Sequence, residues 1–365
     1  MSEVARPKAN CTVPFMGHLP ILLQSHTLDA VLGLVRRQMK RRRLMTVIGG
    51  GAAACPGASR AQPAVMPVIG FLDSQQSGGY VEFILPGFRR GLKDTGYVEG
   101  ENITLDYRWA DNEPDRLASL AIELVRRRVA LIVASAPAAA LAAKAATTTI
   151  PILFGVGEDP VKIGLVASLA RPGGNLTGFN FLVSELAGKR LELLRQMVPT
   201  AARVVLLVDP GFTLTATQVV DAEAAARRMG LEVQVLNAGT SQEITAAFAS
   251  LARERPDGLY VGASPFFLSR RVQFALLGAR TGIPAIYGTR LFTEVGGLMN
   301  YGASFTDGYR QIGNYAGRIL KGVKPAELPV MQATKFELAI NAGTARIMGL
   351  AIPPSLIAIA DEVID

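Results

Sequence analysis

Six places in this chain put polar side chains where a short apolar run gives way to a helix-length segment, and chemistry could happen at these places. They are Asp73-Ser74-Gln75, Ser135, Gly157-Glu158-Asp159, Asp209, Ser264 and Thr289-Arg290. Carboxylates such as Asp106, Asp111, Glu158 and Asp159 could share acid–base work or hold an oxygen-ligated cation, although solvated loops and helix caps account for them more simply. What is missing narrows the choice further. Both cysteines (Cys11, Cys55) and both histidines (His18, His26) precede residue 62. The remaining chain therefore has no thiol nucleophile, no Ser-His-Asp triad, no His- or Cys-based zinc site and no disulfide. Carboxylate-only catalysis and an oxygen-ligated cation stay possible, and no metal or redox cofactor is expected to be needed.

Charge is divided in the same way. Residues 1 to 61 hold nine Lys or Arg and two acids, leaving 29 basic and 28 acidic residues of the totals of 38 and 30. Seven of the eight net positive charges belong to this first segment, so the net charge gives no argument for a nucleic-acid partner.

The stretch TVIGGGAAACPGASRAQPAVMPVIGFLDS, residues 46 to 74, admits two readings. As a dinucleotide-binding turn, Gly49, Gly51 and Ala54 have G-x-G-x-x-A spacing, with Asp73 as the ribose ligand. That turn requires a helix to follow, and Pro56, Gly57, Pro63 and Pro67 forbid one, each proline costing about 3 kcal/mol in a helix interior. As an export leader, Arg41-Arg42-Arg43 precede an apolar run that closes on Ser59-Arg60-Ala61, a small-x-small cleavage pattern of twin-arginine type. Residues 39–61 are accordingly expected to be a signal peptide cleaved after Ala61, and residues 1–38 an over-extended gene start with Met39 as the true one. A lipoprotein form through Cys55 lacks the usual leucine three residues earlier.

From residue 66 the elements that position the polar groups become regular. Apolar runs at 67–74, 102–110, 130–135, 150–157 and 175–180 alternate with helices expected near 79–95, 114–127, 137–146 and 160–169. After a helix at 184–198, runs at 202–209, 231–238, 257–264, 283–289 and 297–302 alternate with helices at 214–229, 241–254 and 268–280. This is the pattern of an α/β protein with two similar units and mostly parallel sheets. Such sheets bind ligands outside the carboxyl ends of their strands, so two facing units make an interdomain cleft.

Several long stretches resemble the tryptophan-transporter-type ABC substrate-binding proteins. Among them are YVEGENITLDYRWADNEPDRLASLAIELVRRRVALIVAS, PILFGVGEDPVKIGLVASLARPGGNLTGFNFL, GKRLELLRQMVPTAARVVLLVDP and KFELAINAGTARIMGLAIPPSLIAIADEVI. The resemblance covers 66 to 365. It implies a type I periplasmic-binding-protein fold: two Rossmann-like lobes, three hinge crossings, and a small molecule held between lobes that close on it. It also implies no catalytic activity, a membrane permease as partner, a periplasmic location and a monomer. The lobes would comprise 66–180 with 302–327, and 181–301 with 328–365, crossing near Asn180, Asn300-Tyr301 and Leu328.

By resemblance, Ser74, Gln75, Ser135, Ala136 and Val156-Gly157-Glu158-Asp159 contact the ligand from the first lobe, with Asn180 at the hinge. Asp209, Phe212, Ser264, Phe266, Tyr287 and Arg290 do so from the second. The aromatic residues would supply apolar area, and Arg290 would grip a carboxylate. Ser264 stands where relatives often carry Asp, which weakens the case for an amino acid's ammonium group. Two other classes stay open: an enzyme on two α/β lobes, opposed by the missing His and Cys, and a cytoplasmic sensor, for which residues 1–65 show no DNA-binding helix pair.

Overall fold

A computed structural model describes residues 66–76, 80–111 and 113–365. The gene-start, signal-peptide and cleavage expectations for 1–61 lie outside the described residues. The first lobe opens with β1 (Val68–Asp73), α1 (Tyr80–Asp94), β2 (Thr104–Trp109), α2 (Leu117–Arg126), β3 (Leu131–Ser135), α3 (Pro137–Ala146), β4 (Ile152–Val156) and β5 (Leu176–Asn180). The second comprises α4 (Ala187–Met197), β6 (Arg203–Val208), α5 (Thr215–Met229), β7 (Glu232–Asn237), α6 (Ser241–Glu254), β8 (Gly258–Val261), α7 (Pro265–Ser269), α8 (Arg271–Thr281), β9 (Ala285–Tyr287), α9 (Arg290–Glu294) and β10 (Met299–Ala303). α10 (Phe305–Leu320) and β11 (Met331–Gln332) return to the first lobe. β12 (Phe336–Asn341), α11 (Ala342–Ile347), α12 (Pro354–Ile359) and β13 (Glu362–Ile364) complete the second.

The apolar runs become strands because both faces are covered. LIVAS of β3 and ILFGV of β4 are buried at every position, as strands of a parallel sheet between helix layers must be. The six-stranded sheet has order β11-β5-β4-β3-β1-β2, and the seven-stranded sheet β13-β12-β10-β9-β8-β6-β7. Its pairs are parallel except β10 with β12. Each sheet contains the doubly wound order 2-1-3-4-5, which places the carboxyl ends of those five strands on one edge. Helices stop where glycine takes over: α5 at Gly230 (φ 67°) and α8 at Gly282 (φ 68°), left-handed positions that glycine adopts without steric penalty.

α10 is tied to the first lobe by unusually close packing on α1. A methyl at Gly91 would stand 2.0 Å from the Arg310 carbonyl oxygen. Tyr309, Ile312, Tyr315 and Ala316 of α10 share one core with Phe71, Phe88 and Leu92.

Three expectations are corrected. No helix forms at 160–169, because the amides of Ile163, Gly164 and Leu165 bond to the carbonyls of Asp159, Val161 and Pro160. Those spacings of four, three and five residues never repeat, and Gly164 sits at φ 73°. The second crossing follows Ala303 rather than Asn300-Tyr301, which lie inside β10. The third falls at 333–335 rather than near Leu328, since Met331 and Gln332 still pair with β5.

Candidate functional site

The carboxyl ends of the two sheets face each other across a cavity of about 130 Å³. That is close to the roughly 150 Å³ of an apolar cavity that takes up benzene, so the space suits one ring. Gln75, Ser135, Ala136, Val156, Gly157 and Glu158 line it from the first lobe, and Phe212, Ser264, Gly288 and Thr289 from the second. Phe181, Phe292 and Phe305 add aromatic walls, with Phe181 stacked on Phe305 at 4.4 Å and 19°.

Glu158 is the charged group among the lining residues, and it is 5% exposed. Thr213, across the cleft on the loop after β6, donates its hydroxyl to Oε1 at 3.5 Å. Among the described residues Oε2 has no hydrogen-bond partner. Burial pushes this carboxyl up to about 7, against the opposing pull of its own and Gly157's amides and of Thr213. A partly neutralised carboxylate on a cleft-lining residue, with one oxygen unpartnered, is short of a donor, most effectively a cation.

Beneath the first-lobe wall lies Asp73, wholly buried at the end of β1 and in register with Ser135. Its Oδ1 accepts from the Gln75 amide at 2.8 Å. Burial raises it to about 6, while the Gln75 amide, the Ser135 hydroxyl and the Ser74 amide pull it down. Ser135 also shares a hydrogen bond of 2.7 Å with the Tyr309 hydroxyl. This wall is therefore polar, negative and held in place by buried groups.

Next to Ser135, Ala136 adopts φ 78° and ψ 155°, a region almost reserved for glycine that costs another residue about 1–3 kcal/mol. The strain turns the chain sharply from β3 into α3, which has no side-chain N-cap. Ala136→Gly should relieve it and stabilise the ligand-free protein by about 1 kcal/mol after the added freedom of the unfolded chain is deducted. Urea unfolding measures this. An unchanged or lowered stability would mean the turn is not strained.

Other expected contacts lie elsewhere. Ser74 is half-buried and outside the cavity lining. Asp159 caps its own turn, accepting from Val161 and Lys162 amides. Asn180 ties two crossings together: its side chain accepts from Leu182, and its carbonyl from the Ala333 amide. Asp209 Oδ2 accepts the Ser264 hydroxyl at 2.5 Å, while Ser264 Oγ caps α7 by accepting from Phe266 and Phe267 amides. Asp209 thus restores a carboxylate behind Ser264 without itself lining the cavity. Phe266 packs on the second-lobe core below the Arg270 guanidinium. Tyr287 is 1% exposed and stacked on Phe292 at 4.5 Å, so its ring is core. Arg290 turns away from the cleft. It pairs with Glu294 and Glu362 at 2.7 Å each, beside a separate polar groove, and cannot be the carboxylate grip expected of it. Phe181, Thr213, Phe292 and Phe305 were not anticipated, because none ends a strand.

The model for ABC transporter substrate binding proteins matches residues 77–364. A tyrosine-binding protein of Clostridioides difficile (strain R20291) is 30% identical over 264 residues, 72% of this chain and 76% of that protein. A Streptococcus pneumoniae ABC domain solved with L-Trp is 25% identical, covering 82% of this chain and 99% of that one, with a TM-score of 0.73. The ligand-free, open form of a substrate-binding protein with adhesive properties from Clostridium difficile is 26% identical over the same shares, with a TM-score of 0.63. On the extent of the family match and the identity of these relatives, the chain is a member of the ABC transporter substrate binding protein family.

Proposed function

We propose that this protein captures a single-ring organic molecule bearing an ammonium group, of the aromatic amino acid class, outside the cytoplasm and delivers it to a membrane permease. The carrying observation is Glu158, buried in an aromatic-walled cavity with one oxygen unpartnered. A ligand ammonium satisfies that oxygen, and its ring fills the space between Phe181, Phe212 and Phe292. A ligand touching both lobes has more contacts in the closed form, and this differential affinity is what shifts the population towards closure. The tyrosine named for one relative fits the same chemistry, and the L-Trp bound by another shares its ammonium group and aromatic face but not its single ring. The leader-like residues 39–61 support export, and the lack of His and Cys from residue 62 onward supports binding without chemical change of the ligand.

Calorimetric titration of the purified chain tests the reading. L-tyrosine and L-phenylalanine should bind at about micromolar Kd, near 8 kcal/mol of binding free energy, while hexoses and benzoate should not. Tight binding of a sugar or of an aromatic anion in place of these would refute it.

A further inference from the structure

We propose that Arg190 is a specificity-determining residue: from behind the second-lobe wall it makes capture depend on an anionic group in the ligand. The inference rests on the ammonium-binding reading of Glu158 and adds the opposite pole. Arg190, on α4, is 1% exposed. Its Nε donates to the Tyr301 carbonyl at 2.8 Å, and its Nη1 to the Val183 carbonyl at 3.2 Å and the Tyr260 hydroxyl at 3.0 Å. All three acceptors are neutral. Among the described residues no carboxylate pairs with this guanidinium, whose hydrogen bonds run from Nε and Nη1.

A buried cation without a counter-charge is unfavourable unless something supplies one. Here the nearest opening is the cleft. A methyl built on Gly288, which lines the cavity, would lie 3.4 Å from Nη2 and 3.6 Å from Cζ, so no side chain shields the guanidinium at that point. Val183, whose carbonyl it holds, also lines the cavity. Asp73 and Glu158 make the facing wall negative and disfavour a carboxylate there. Asp209, the other charged strand end of the second lobe, lies two strands away and is engaged by Ser264 and Gly211. The cleft is polarised: negative on the first lobe, positive on the second. A zwitterion aligns with this field, and an amine without a carboxylate leaves Arg190 unbalanced.

The test is calorimetry on the full chain with L-tyrosine and with tyramine, which keeps the ring and ammonium but has no carboxylate. The wild type should prefer L-tyrosine. Arg190→Met should lower L-tyrosine affinity by about tenfold or more while changing tyramine affinity by less than about threefold. Arg190→Lys should recover part of the preference. Gly288→Ala, whose methyl fits at ordinary contact distance, should erode the preference in the same direction, and it reads the effect even where Arg190→Met fails to fold. Equal losses for both ligands would show Arg190 to be structural only, and an unchanged ratio in Gly288→Ala would place the carboxylate elsewhere. Either overturns the inference while leaving Glu158's role standing. If the wild type binds neither ligand, the ammonium reading fails and this inference with it.

Discussion

Glu158→Gln is expected to weaken capture of an ammonium-bearing ligand about thirtyfold at pH 8, the roughly 2 kcal/mol of a hydrogen bond to a charged group. It should also abolish a pH dependence that the wild type shows. Only the ionised carboxylate pairs with an ammonium, and burial lifts this carboxyl to about 7. Affinity should therefore fall about tenfold per unit below pH 7 and level off above it. Stability of the ligand-free protein responds with the opposite sign. Glu158's folded value of about 7 lies above its usual 4.5, so the fold holds its proton more tightly than the unfolded chain does. That advantage is full below pH 4.5 and is lost as pH rises to 7, with Asp73 adding the same trend between 3.8 and about 6. At pH 8 Glu158→Gln should then stabilise the empty protein by about 1–3 kcal/mol while weakening binding, a trade common at functional sites. Calorimetry from pH 5 to 8.5 and urea unfolding at pH 8 check both halves. A wild-type affinity independent of pH would remove Glu158 from the site.

Phe181→Ala is expected to have the largest effect on stability, about 3–5 kcal/mol by urea unfolding. The ring is 1% exposed, stacks on Phe305, and lies 4.8 Å from Phe179 and 5.7 Å from Tyr309. A methyl at Gly308 would come within 2.3 Å of it, so the packing leaves no slack and the neighbours cannot collapse into the gap. Because Phe181 also lines the cleft, the variant should lose selectivity for single-ring over two-ring ligands. A loss below about 1 kcal/mol would show that the site relaxes and that the aromatic wall is not rigid.

Periodicity in the sequence was enough to indicate two α/β units with mostly parallel sheets. Apolar runs of strand length alternate with amphipathic helices, and runs buried on both faces require parallel sheets covered on either side. That arrangement sends the strands' carboxyl ends to one edge, which is why Gln75, Ser135, Glu158 and Ser264 could be placed at a cleft from their positions alone. Tertiary structure decided which way each side chain points. Neighbouring residues at a strand end face opposite sides, so Tyr287 enters the core while Gly288 lines the cleft, and Gln75 lines it while Ser74 does not. Arg290 begins α9 and is drawn off by Glu294 and by Glu362, 72 residues away. Phe181, Phe292 and Phe305 come from segments that no local pattern unites, and Arg190 meets partners 70 and 111 residues along the chain. Charge pairing and aromatic packing between such distant positions depend on the relative placement of whole elements, which neither alternation nor spacing along the chain encodes.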